Sequence, residues 1–334
     1  MKIKIANKNI GEGCPTFVIA EGGLNHNGDV RLAKKIVENA ANVGADAIKF
    51  QTFDASDLVS SKSKAYKLFR KLELSDSDFS ELNDFAKSNQ IIFLSTPFGI
   101  KAVNLLIRLK VPAFKIASGD LTNLPLISYI ARNKKPMLLS TGMGNIEEVN
   151  DAVQAIKNVK NNKIIIMHSV TSYPTPYNEV NLHTLTTLKM KFKFPVGYSD
   201  NGRNDLVTLV AVAMGSKVIE KHFTINKKLR GPDHKISADP KQMKNLIIQI
   251  RQIEEMFGTG IKKPQPSELE NLVMARRSIH TTQNIKKNSI LTAEMTAIKR
   301  PAIGILPKFY DKILGKKTKR NLSIDEPIKW SDLK

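Results

Sequence analysis

Short apolar runs that alternate with helix-period segments dominate the first 258 residues. We predict eight strands, at residues 17–20, 47–50, 91–94, 113–116, 137–139, 164–167, 195–198 and 218–221. Helical spacing of apolar residues predicts helices at 29–43, 146–159, 206–214 and 241–256. Nearly continuous apolar strands alternating with helices are typical of a parallel sheet covered by helices. Eight such units favour closure into a (β/α)8 TIM barrel, and a doubly wound open sheet is the alternative.

The repeating pattern ends at a segment rich in glycine, proline and lysine, residues 258–266. Two short strand-like pieces follow, at 278–281 and 296–299, with turn signals around them. The pattern therefore predicts three parts. These are a catalytic barrel domain over 1–258, a linker over 259–269 and a small α+β domain over 270–334.

The net charge of +21 has two competing explanations, a nucleic-acid partner or anionic substrates. The excess is spread along the chain, without basic and aromatic interleaving or a zinc-finger or helix-turn-helix signature, so we expect no nucleic-acid partner. No apolar run approaches the roughly 18 residues that span a bilayer, and the residues after Met1 form no signal peptide, so we expect no membrane association. A single cysteine, Cys14, fits a reducing cytoplasm, where we place the protein.

Polar side chains concentrate where the predicted strands end. They are Glu21, Lys49, Gln51, Ser95, Thr96, Lys115, Ser118, Ser140, Thr141, His168, Ser199, Asp200, Glu220 and His222. In a β/α barrel the carboxyl ends of the strands meet on the face that carries active sites. A single serine or threonine there is commonly a helix cap, so the weight of the prediction rests on the lysines.

Lys49 and Lys115 are embedded in apolar strands, where a lysine is costly unless an anion meets it. Ser118 and residues 140–142, which we predict to open a helix, add hydroxyl and N–H groups. Cations, hydroxyls and free N–H groups together indicate a phosphate site.

Glu21 has two interpretations, a general acid/base or stabiliser of a developing cation, and a buried carboxylate paired to Lys49 or Lys115. For His222 and Asp233, a metal ligand and a sugar contact compete with a satisfied histidine and a plain turn. His26 is equally a site residue or a loop stabiliser, and Asp29 is predicted to cap the following helix.

Taken together, the motifs resemble the sialic acid synthase family, meaning N-acetylneuraminate synthase and its legionaminic and pseudaminic relatives. They are IAE at 19–21, NHNG at 25–28, GADAIKFQT at 44–52, LSTPF at 94–98, FKIASGD at 114–120, LSTGM at 139–143, YPTP at 173–176, EKHFT at 220–224 and GPDHK at 231–235. In the tail, KRP at 299–301 and LGKK at 314–317 are similar to the family's antifreeze-like (SAF) domain.

The resemblance implies a role for each matched residue. Phosphoenolpyruvate would be bound by Lys49, Thr96, Lys115, Ser118 and Ser140. The amino sugar would be bound by Gln51, Asp120, Tyr173 and Asp233, and by Arg300 from the other subunit of a domain-swapped homodimer. Glu21 would stabilise cationic character at C2 of phosphoenolpyruvate, and the catalytic set would be Glu21, Lys49, Lys115 and His222. A divalent metal ion (Mn, Mg or Co) would sit on His222, with Asn201 in the second ligand position.

The implied reaction joins phosphoenolpyruvate, N-acetylmannosamine and water to give N-acetylneuraminate and phosphate. One alternative is an N,N'-diacetyllegionaminate synthase that uses 2,4-diacetamido-2,4,6-trideoxymannose. Another is a condensing enzyme of the KDO-8-phosphate or DAHP synthase type, which would act on a phosphorylated sugar and lack the antifreeze-like tail.

Three positions depart from the family pattern. Asn201 stands where a second metal-binding histidine is usual, and an amide oxygen suits a hard cation better than a borderline one. We therefore predict weaker metal affinity or a shift toward magnesium. Asp120 replaces a usual glutamate, and Thr171 replaces an asparagine that contacts phosphate in some relatives.

Overall fold

Eight parallel strands form a nearly closed barrel in the computed structural model, which describes residues 1–202 and 204–334. The strands are β3 Phe17–Gly23, β4 Ala47–Phe53, β5 Ile92–Phe98, β6 Phe114–Ile116, β7 Met137–Ser140, β8 Ile164–Ser169, β9 Val196–Asp200 and β10 Val218–His222. Their order around the barrel is β5-β4-β3-β10-β9-β8-β7-β6. All eight predicted strands are confirmed, and so is the (β/α)8 class, because consecutive strands pair in parallel around a barrel rather than in a doubly wound order.

Helices follow the strands and cover the outside of the sheet. They are α1 Val30–Asn42, α2 Ala55–Leu58, α3 Tyr66–Leu72, α4 Asp76–Ser88, α5 Ile100–Arg108, α6 Leu124–Ala131, α7 Ile146–Asn158, α8 His183–Phe192, α9 Leu206–Ala213 and α10 Pro240–Met256. The side chain of Asp29 accepts a hydrogen bond from the N–H of Arg31 and caps α1, as predicted. Among the described residues no helix is both long and apolar enough to cross a bilayer.

A hairpin at the start of the chain was not predicted. Strands β1 Lys2–Ile5 and β2 Lys8–Gly11 pair antiparallel. Their apolar side chains Ile3, Ile5 and Ile10 pack in one cluster with side chains from the barrel strands, among them Ile19 and Val218. The period-two alternation of lysine and isoleucine in β1 was the available signal.

Alternate residues of each strand point to opposite faces of the sheet, and the two faces differ in chemistry. The outward set, which includes Val18 and Ile48, packs against the helices. The inward set begins apolar, as at Ile19, and becomes polar two residues later, as at Glu21. This polarity change places the charged groups at the carboxyl end of the barrel.

The chain divides into two compact units, Met1–Gly258 and Thr259–Lys334. In the second unit β11 Ser278–Thr281 pairs antiparallel with β12 Thr296–Lys299, and the helices are α11 Leu269–Ala275 and α12 Tyr310–Ile313. Its core consists of Ile279, Ile285, Leu291, Ile305, Ile313, Leu322, Ile328 and Leu333. The predicted α+β character of the tail is confirmed, whereas the assignment of a linker to 259–269 stays a prediction.

Candidate active site

A cavity of about 190 Å³ opens at the carboxyl ends of the barrel strands. It brings together ten of the thirteen predicted site residues, namely Glu21, Lys49, Gln51, Thr96, Lys115, Ser118, Ser140, Tyr173, Asn201 and His222. The lining also includes four polar residues outside the predicted set, Ser169, Thr171, Ser199 and Glu220.

Four charged side chains form a buried network at the floor of this cavity. Lys49 Nζ lies 2.7 Å from Glu21 Oε2 and 3.7 Å from Glu220 Oε2. Lys115 Nζ donates to Glu220 Oε1 at 3.0 Å. Each of the four is 5% exposed or less. The predicted pairing of Glu21 with a lysine is confirmed, and we call Glu21, Lys49, Lys115 and Glu220 the charged quartet.

Two hydroxyl groups extend the charged quartet. Lys49 Nζ donates to Thr96 Oγ1 at 3.0 Å, and Ser199 Oγ donates to Glu220 Oε1 at 2.9 Å. The strand register produces these neighbours, since Lys49 on β4 is paired with Glu21 on β3, and Ser199 on β9 is paired with Glu220 on β10. Side chains that are local neighbours in the sheet thus point together into the barrel.

The pKa values within the charged quartet are displaced in different directions. Burial raises the pKa of the Glu21 carboxyl, with the charge of Lys49 opposing it and that of Glu220 adding to it. Burial acts the same way on Glu220, but the charges of Lys115 and Lys49 outweigh it and hold its pKa well below the usual value. Burial lowers the pKa of the Lys115 ammonium, with partial compensation from Glu220. For Lys49 burial also acts to lower the pKa, but Glu21 and Glu220 together raise it.

Hydroxyl and amide groups on β7 and the turn after β6 form the next part of the wall. The N–H of Gly142 donates to Ser118 Oγ at 3.1 Å. A Cβ at Gly142 would lie 2.7 Å from Ser118 Oγ and 2.4 Å from Thr171 Oγ1, so only glycine fits there. Ser140 Oγ is buried and makes no hydrogen bond within the described chain, which leaves it free for a ligand.

The prediction that residues 140–142 open a helix is wrong. Helix α7 begins at Ile146, because Asn145 caps it and forms a capping box with Glu148. The N–H of Gly142 is used by Ser118 and is not a free donor. A phosphate bound here would therefore be held by lysine and hydroxyl side chains rather than by the N–H groups of a helix terminus.

The sugar-binding residues predicted from the resemblance lie in three places. Gln51 and Asp233 converge beside Gly23, where a Cβ would be 3.7 Å from Gln51 Nε2 and 3.5 Å from Asp233 Oδ2. Tyr173 meets the ring of His222 edge-on, with centroids 5.9 Å apart. Gln51 and Tyr173 line the cavity, whereas Asp233 is outside its lining and lies beside Gly23 and His222. We call these three the rim residues.

Asp120 and Arg300 are the other two residues that the resemblance assigns to the sugar. Asp120 is outside the cavity lining, and its Oδ1 accepts a hydrogen bond from Asn123 Nδ2 at 3.1 Å. Arg300 follows β12 in the second unit and is exposed. Their assignments to the sugar stay predictions.

The residues around His222 fit a divalent cation. His222 Nδ1 is buried and has no hydrogen-bond partner among the described residues, and Asp233 Oδ2 is 3.9 Å away. Asn201 lines the same cavity and uses its Nδ2 to donate to the carbonyl of Val170 at 2.7 Å, which leaves its amide oxygen for a ligand. The described residues contain no group of three or more His, Cys, Asp or Glu that could hold a metal by themselves. One imidazole nitrogen with oxygen donors suits a hard cation that keeps positions for water and substrate.

Two histidines near the site have structural partners. His26 is fully buried, and its Nδ1 accepts a hydrogen bond from the N–H of Gly28 at 3.1 Å, so it stabilises its own loop. His234 is also fully buried, and its Nδ1 lies 2.7 Å from Thr224 Oγ1. This hydrogen bond supports the interpretation of His26 as a loop stabiliser, and a role for it in the site stays a prediction.

Glu220 was among the polar residues predicted at the strand ends, but no role in the site was assigned to it. A carboxylate inside the apolar strand β10 is as costly as the two buried lysines, so the same argument would have selected it. Its position two residues before His222 also gives it the same inward direction.

Comparisons with known proteins agree with this geometry. The model of the NeuB family matches residues 36–262, and that of the SAF domain matches residues 276–334. A relative from Campylobacter jejuni, N,N'-diacetyllegionaminic acid synthase, is 44% identical over 94% of this chain and 99% of its own length. An uncharacterised protein from Methanocaldococcus jannaschii, MJ1065, is 49% identical over 99% of this chain and 98% of its own length. The solved structure of N-acetylneuraminic acid (sialic acid) synthetase from Leptospira borgpetersenii superposes with a TM-score of 0.78 at 36% identity, covering 81% of this chain and 95% of that one.

Proposed function

The chain belongs to the NeuB family and ends in an SAF domain, and we propose that it condenses phosphoenolpyruvate with an unphosphorylated N-acetylated amino sugar. It is an enzyme of the sialic acid synthase type, like its relatives of that name. The observation that carries the proposal is the pair of buried lysines, Lys49 and Lys115, at the floor of a polar cavity at the carboxyl end of the barrel.

The phosphoenolpyruvate site is the part of the cavity around the two lysines. Lys49 and Lys115 supply the cations for a phosphate and a carboxylate, and Thr96, Ser118 and Ser140 supply hydroxyl groups. Glu21 and Glu220 already neutralise the lysines, so a trianionic substrate brings uncompensated negative charge into a buried site. A divalent cation beside His222 would offset that charge.

The proposed reaction needs no covalent enzyme intermediate. C3 of phosphoenolpyruvate attacks the aldehyde carbon of the open-chain sugar, a C–C bond forms, and the aldehyde oxygen takes up a proton. Water adds at C2 and gives up a proton. The resulting tetrahedral intermediate expels phosphate by cleavage of the bond between C2 and the phosphate oxygen. The C2 hydroxyl becomes the keto group as its proton passes to the departing phosphate. Positioning of the two substrates and stabilisation of charge at C2 are the tasks left to the protein.

The proposal assigns the second of these tasks to Glu21. Its carboxylate is buried beside Lys49, which the proposal assigns to phosphoenolpyruvate, and lies next to the rim residues Gln51 and Asp233. A negative group at the junction of the two substrates stabilises cationic character at C2. Tyr173, Gln51, Asp233 and Asp120 are assigned to the sugar.

His222 and Asn201 are assigned to a divalent metal ion, with Mn, Mg and Co as candidates. When bound, the cation supplies Lewis-acid polarisation of the sugar aldehyde. The amide of Asn201 favours a hard cation, so we expect modest affinity with a preference for magnesium. Activity in excess chelator tests this assignment, and full activity there would remove the metal from the proposal.

A homodimer completes the proposed sugar site. Arg300 is exposed on the second unit, and the family resemblance assigns it to the sugar pocket of the other copy. Light scattering should give twice the chain mass, and Arg300→Ala should raise KM for the sugar and leave KM for phosphoenolpyruvate unchanged. A fully active monomer would contradict this arrangement.

Two sugars are candidates. N-acetylmannosamine is favoured by the likeness to the sialic acid synthetase structure. The 2,4-diacetamido-trideoxy sugar is favoured by the higher identity, 44%, to a relative named for diacetyllegionaminic acid. Phosphate release should therefore be measured in parallel with phosphoenolpyruvate and each sugar, and the higher kcat/KM identifies the substrate.

The same assay tests the class of enzyme. A phosphorylated sugar as the preferred substrate would contradict the unphosphorylated amino sugar of the proposal. Lys115→Ala and Glu21→Ala should each abolish most phosphate release. Near-normal turnover in both variants would show that the site is elsewhere.

A further inference from the structure

A second buried ion pair lies on the outward face of the barrel, behind the cavity. Lys221 on β10 and Asp200 on β9 are paired in the strand register, and each directly adjoins a predicted metal ligand, His222 and Asn201. Lys221 Nζ is 2.6 Å from Asp200 Oδ2, and the two residues are 2% and 1% exposed. Strand alternation turns them away from the cavity, so neither is available to a substrate there.

The ammonium group of Lys221 donates hydrogen bonds to three acceptors around the start of the β9–α9 connection. Besides Asp200, it donates to the carbonyl oxygens of Gly202 at 3.2 Å and Asn204 at 3.1 Å. An ammonium group has three N–H donors, and here each has an acceptor. Two of the three acceptors are main-chain atoms, so the lysine holds the path of the backbone.

The carboxylate of Asp200 fastens the same segment from the other side. Its Oδ1 accepts the N–H of Gly202 at 2.7 Å, and its Oδ2 accepts the hydroxyl of Thr208, in the first turns of α9, at 2.6 Å. A Cβ at Gly202 would lie 2.9 Å from Asp200 Oδ1, so a side chain there would displace the carboxylate. The strand end, the connection and the helix are thus joined through one ion pair.

We propose that Lys221 and Asp200 are positioning residues, which set the path of the chain after β9 and thereby hold Asn201 in the cavity. Asn201 follows Asp200 directly, and its amide spans to the carbonyl of Val170 on the neighbouring connection. If the backbone at Gly202 and Asn204 shifts, the amide oxygen of Asn201 moves with it. The consequence for metal binding rests on the proposed function, in which Asn201 is a ligand.

The decisive variant is Asp200→Leu combined with Lys221→Met in the full-length chain. Replacing a buried ion pair by apolar side chains of similar volume commonly preserves stability, so this chain should fold. It lacks the bonds to Gly202 and Asn204. Lys221→Met alone leaves a buried carboxylate and should be less stable than the double variant. Val37→Ala, a cavity-forming change in α1, is the control for general destabilisation.

Two measurements are made on each protein. Hydrogen exchange of peptides covering 200–208 should be at least tenfold faster in the double variant than in the wild type, while the α1 peptide is unchanged. Titration of metal-free protein with Mn²⁺ should show affinity about 10- to 100-fold weaker, the range found when groups behind a metal ligand are removed. Val37→Ala should change neither result.

Wild-type exchange at 200–208 in the double variant would overturn the proposal, and so would wild-type Mn²⁺ affinity despite faster exchange. Failure of the proposed function has a different signature. If Asn201→Ala binds Mn²⁺ as tightly as the wild type, Asn201 is not a ligand. The exchange result then decides alone whether the ion pair positions the connection.

Discussion

At the amino-terminal end of the barrel the inward side chains of β3 and β10 are Ile19 and Val218, whereas two residues further along the same strands they are Glu21 and Glu220. One step of two residues, about 7 Å, separates an apolar layer from a buried set of charges. The apolar layer is closed by the hairpin residue Ile5, which is fully buried. The polar layer carries two carboxylates and two ammonium groups at 5% exposure or less.

This contrast separates stability from function within one set of strands. Burial of large apolar side chains stabilises a fold by about 1.5–3 kcal/mol each, with no requirement on direction. A buried ion pair offers little net stability, since desolvation offsets its attraction, but it holds charged atoms at defined positions. We therefore expect substitutions at the amino-terminal end of the barrel to lower stability more than activity. Replacement of an ion pair at the carboxyl end should lower activity more than stability.

The largest effect on activity should come from the double variant Lys115→Met and Glu220→Leu, which replaces an ion pair of the polar layer by apolar side chains. Activity should fall by about 10³-fold or more, because the lysine that the proposal assigns to the phosphate is lost together with its paired carboxylate. The free energy of unfolding should be unchanged or up to about 4 kcal/mol higher, because an ion pair is replaced by apolar groups. Phosphate release and urea unfolding measure the two quantities.

The single variant Lys115→Met is the matched control for that experiment. It leaves Glu220 without its closest cation and should lose about 3–5 kcal/mol of stability. Activity within tenfold of wild type in the double variant would place the phosphate site elsewhere.

The opposite change is Ile5→Ala at the closed end. It should cost about 2–5 kcal/mol of unfolding free energy, because it opens a cavity under a fully buried side chain. The kcat per folded molecule should stay at the wild-type value. Met256→Ala, at a position 77% exposed, serves as control and should change stability by less than about 0.5 kcal/mol. A large fall in kcat for Ile5→Ala would show that the two ends are coupled.

The free energy of unfolding should fall in acid because of His26, which lies in the loop after β3 at the carboxyl end of the barrel. Burial lowers the pKa of His26 to about 4, whereas the unfolded value is 6.5. The unfolded chain therefore binds the proton more readily, and stability present above pH 6.5 is lost as pH falls toward 4, by about 3 kcal/mol in total. His26→Gln should flatten this part of the curve of unfolding free energy against pH.

The hairpin variant provides the comparison for that curve. The stability difference between Ile5→Ala and wild type should not depend on pH, because no titrating side chain is changed. Parallel curves for His26→Gln and wild type between pH 6.5 and 4 would show that the pKa of His26 is not lowered in the folded protein. His26 would then take up its proton as readily in the folded chain as in the unfolded one.

The smallest expected effect is a change in metal preference on substitution of Asn201, the proposed second metal ligand. Asn201→His supplies a second imidazole and should raise the affinity for Co²⁺ relative to Mg²⁺ about tenfold, or about 1.4 kcal/mol. Isothermal titration with each ion gives the ratio. Asn158→His, at an exposed position in α7, is the control and should leave the ratio unchanged. An unchanged ratio in Asn201→His would remove position 201 from the metal site.

Much of the architecture followed from local sequence patterns. Each strand and its following helix carry their own hydrophobic period, so the eight units and the burial of Lys49 and Lys115 were predictable. The hairpin β1–β2 was missed although its alternation was present, because two four-residue strands give a weak signal. Helix α7 begins at Ile146, as its apolar spacing predicted, and only the helix start suggested at residues 140–142 was wrong, because Asn145 provides the cap.

What the sequence determined by itself was the class of barrel, the set of charged groups inside it and the likeness to the sialic acid synthases. What only the tertiary structure decided was which of these groups meet. Lys115 and Glu220 are 105 residues apart and become partners only when β6 and β10 take their places around one barrel. Hydrophobic periodicity acts over a few neighbouring residues, whereas ion pairing across a cavity depends on closure of the whole sheet. The pairing of β9 with β10 likewise brings Lys221 to Asp200, a contact that no local pattern encodes.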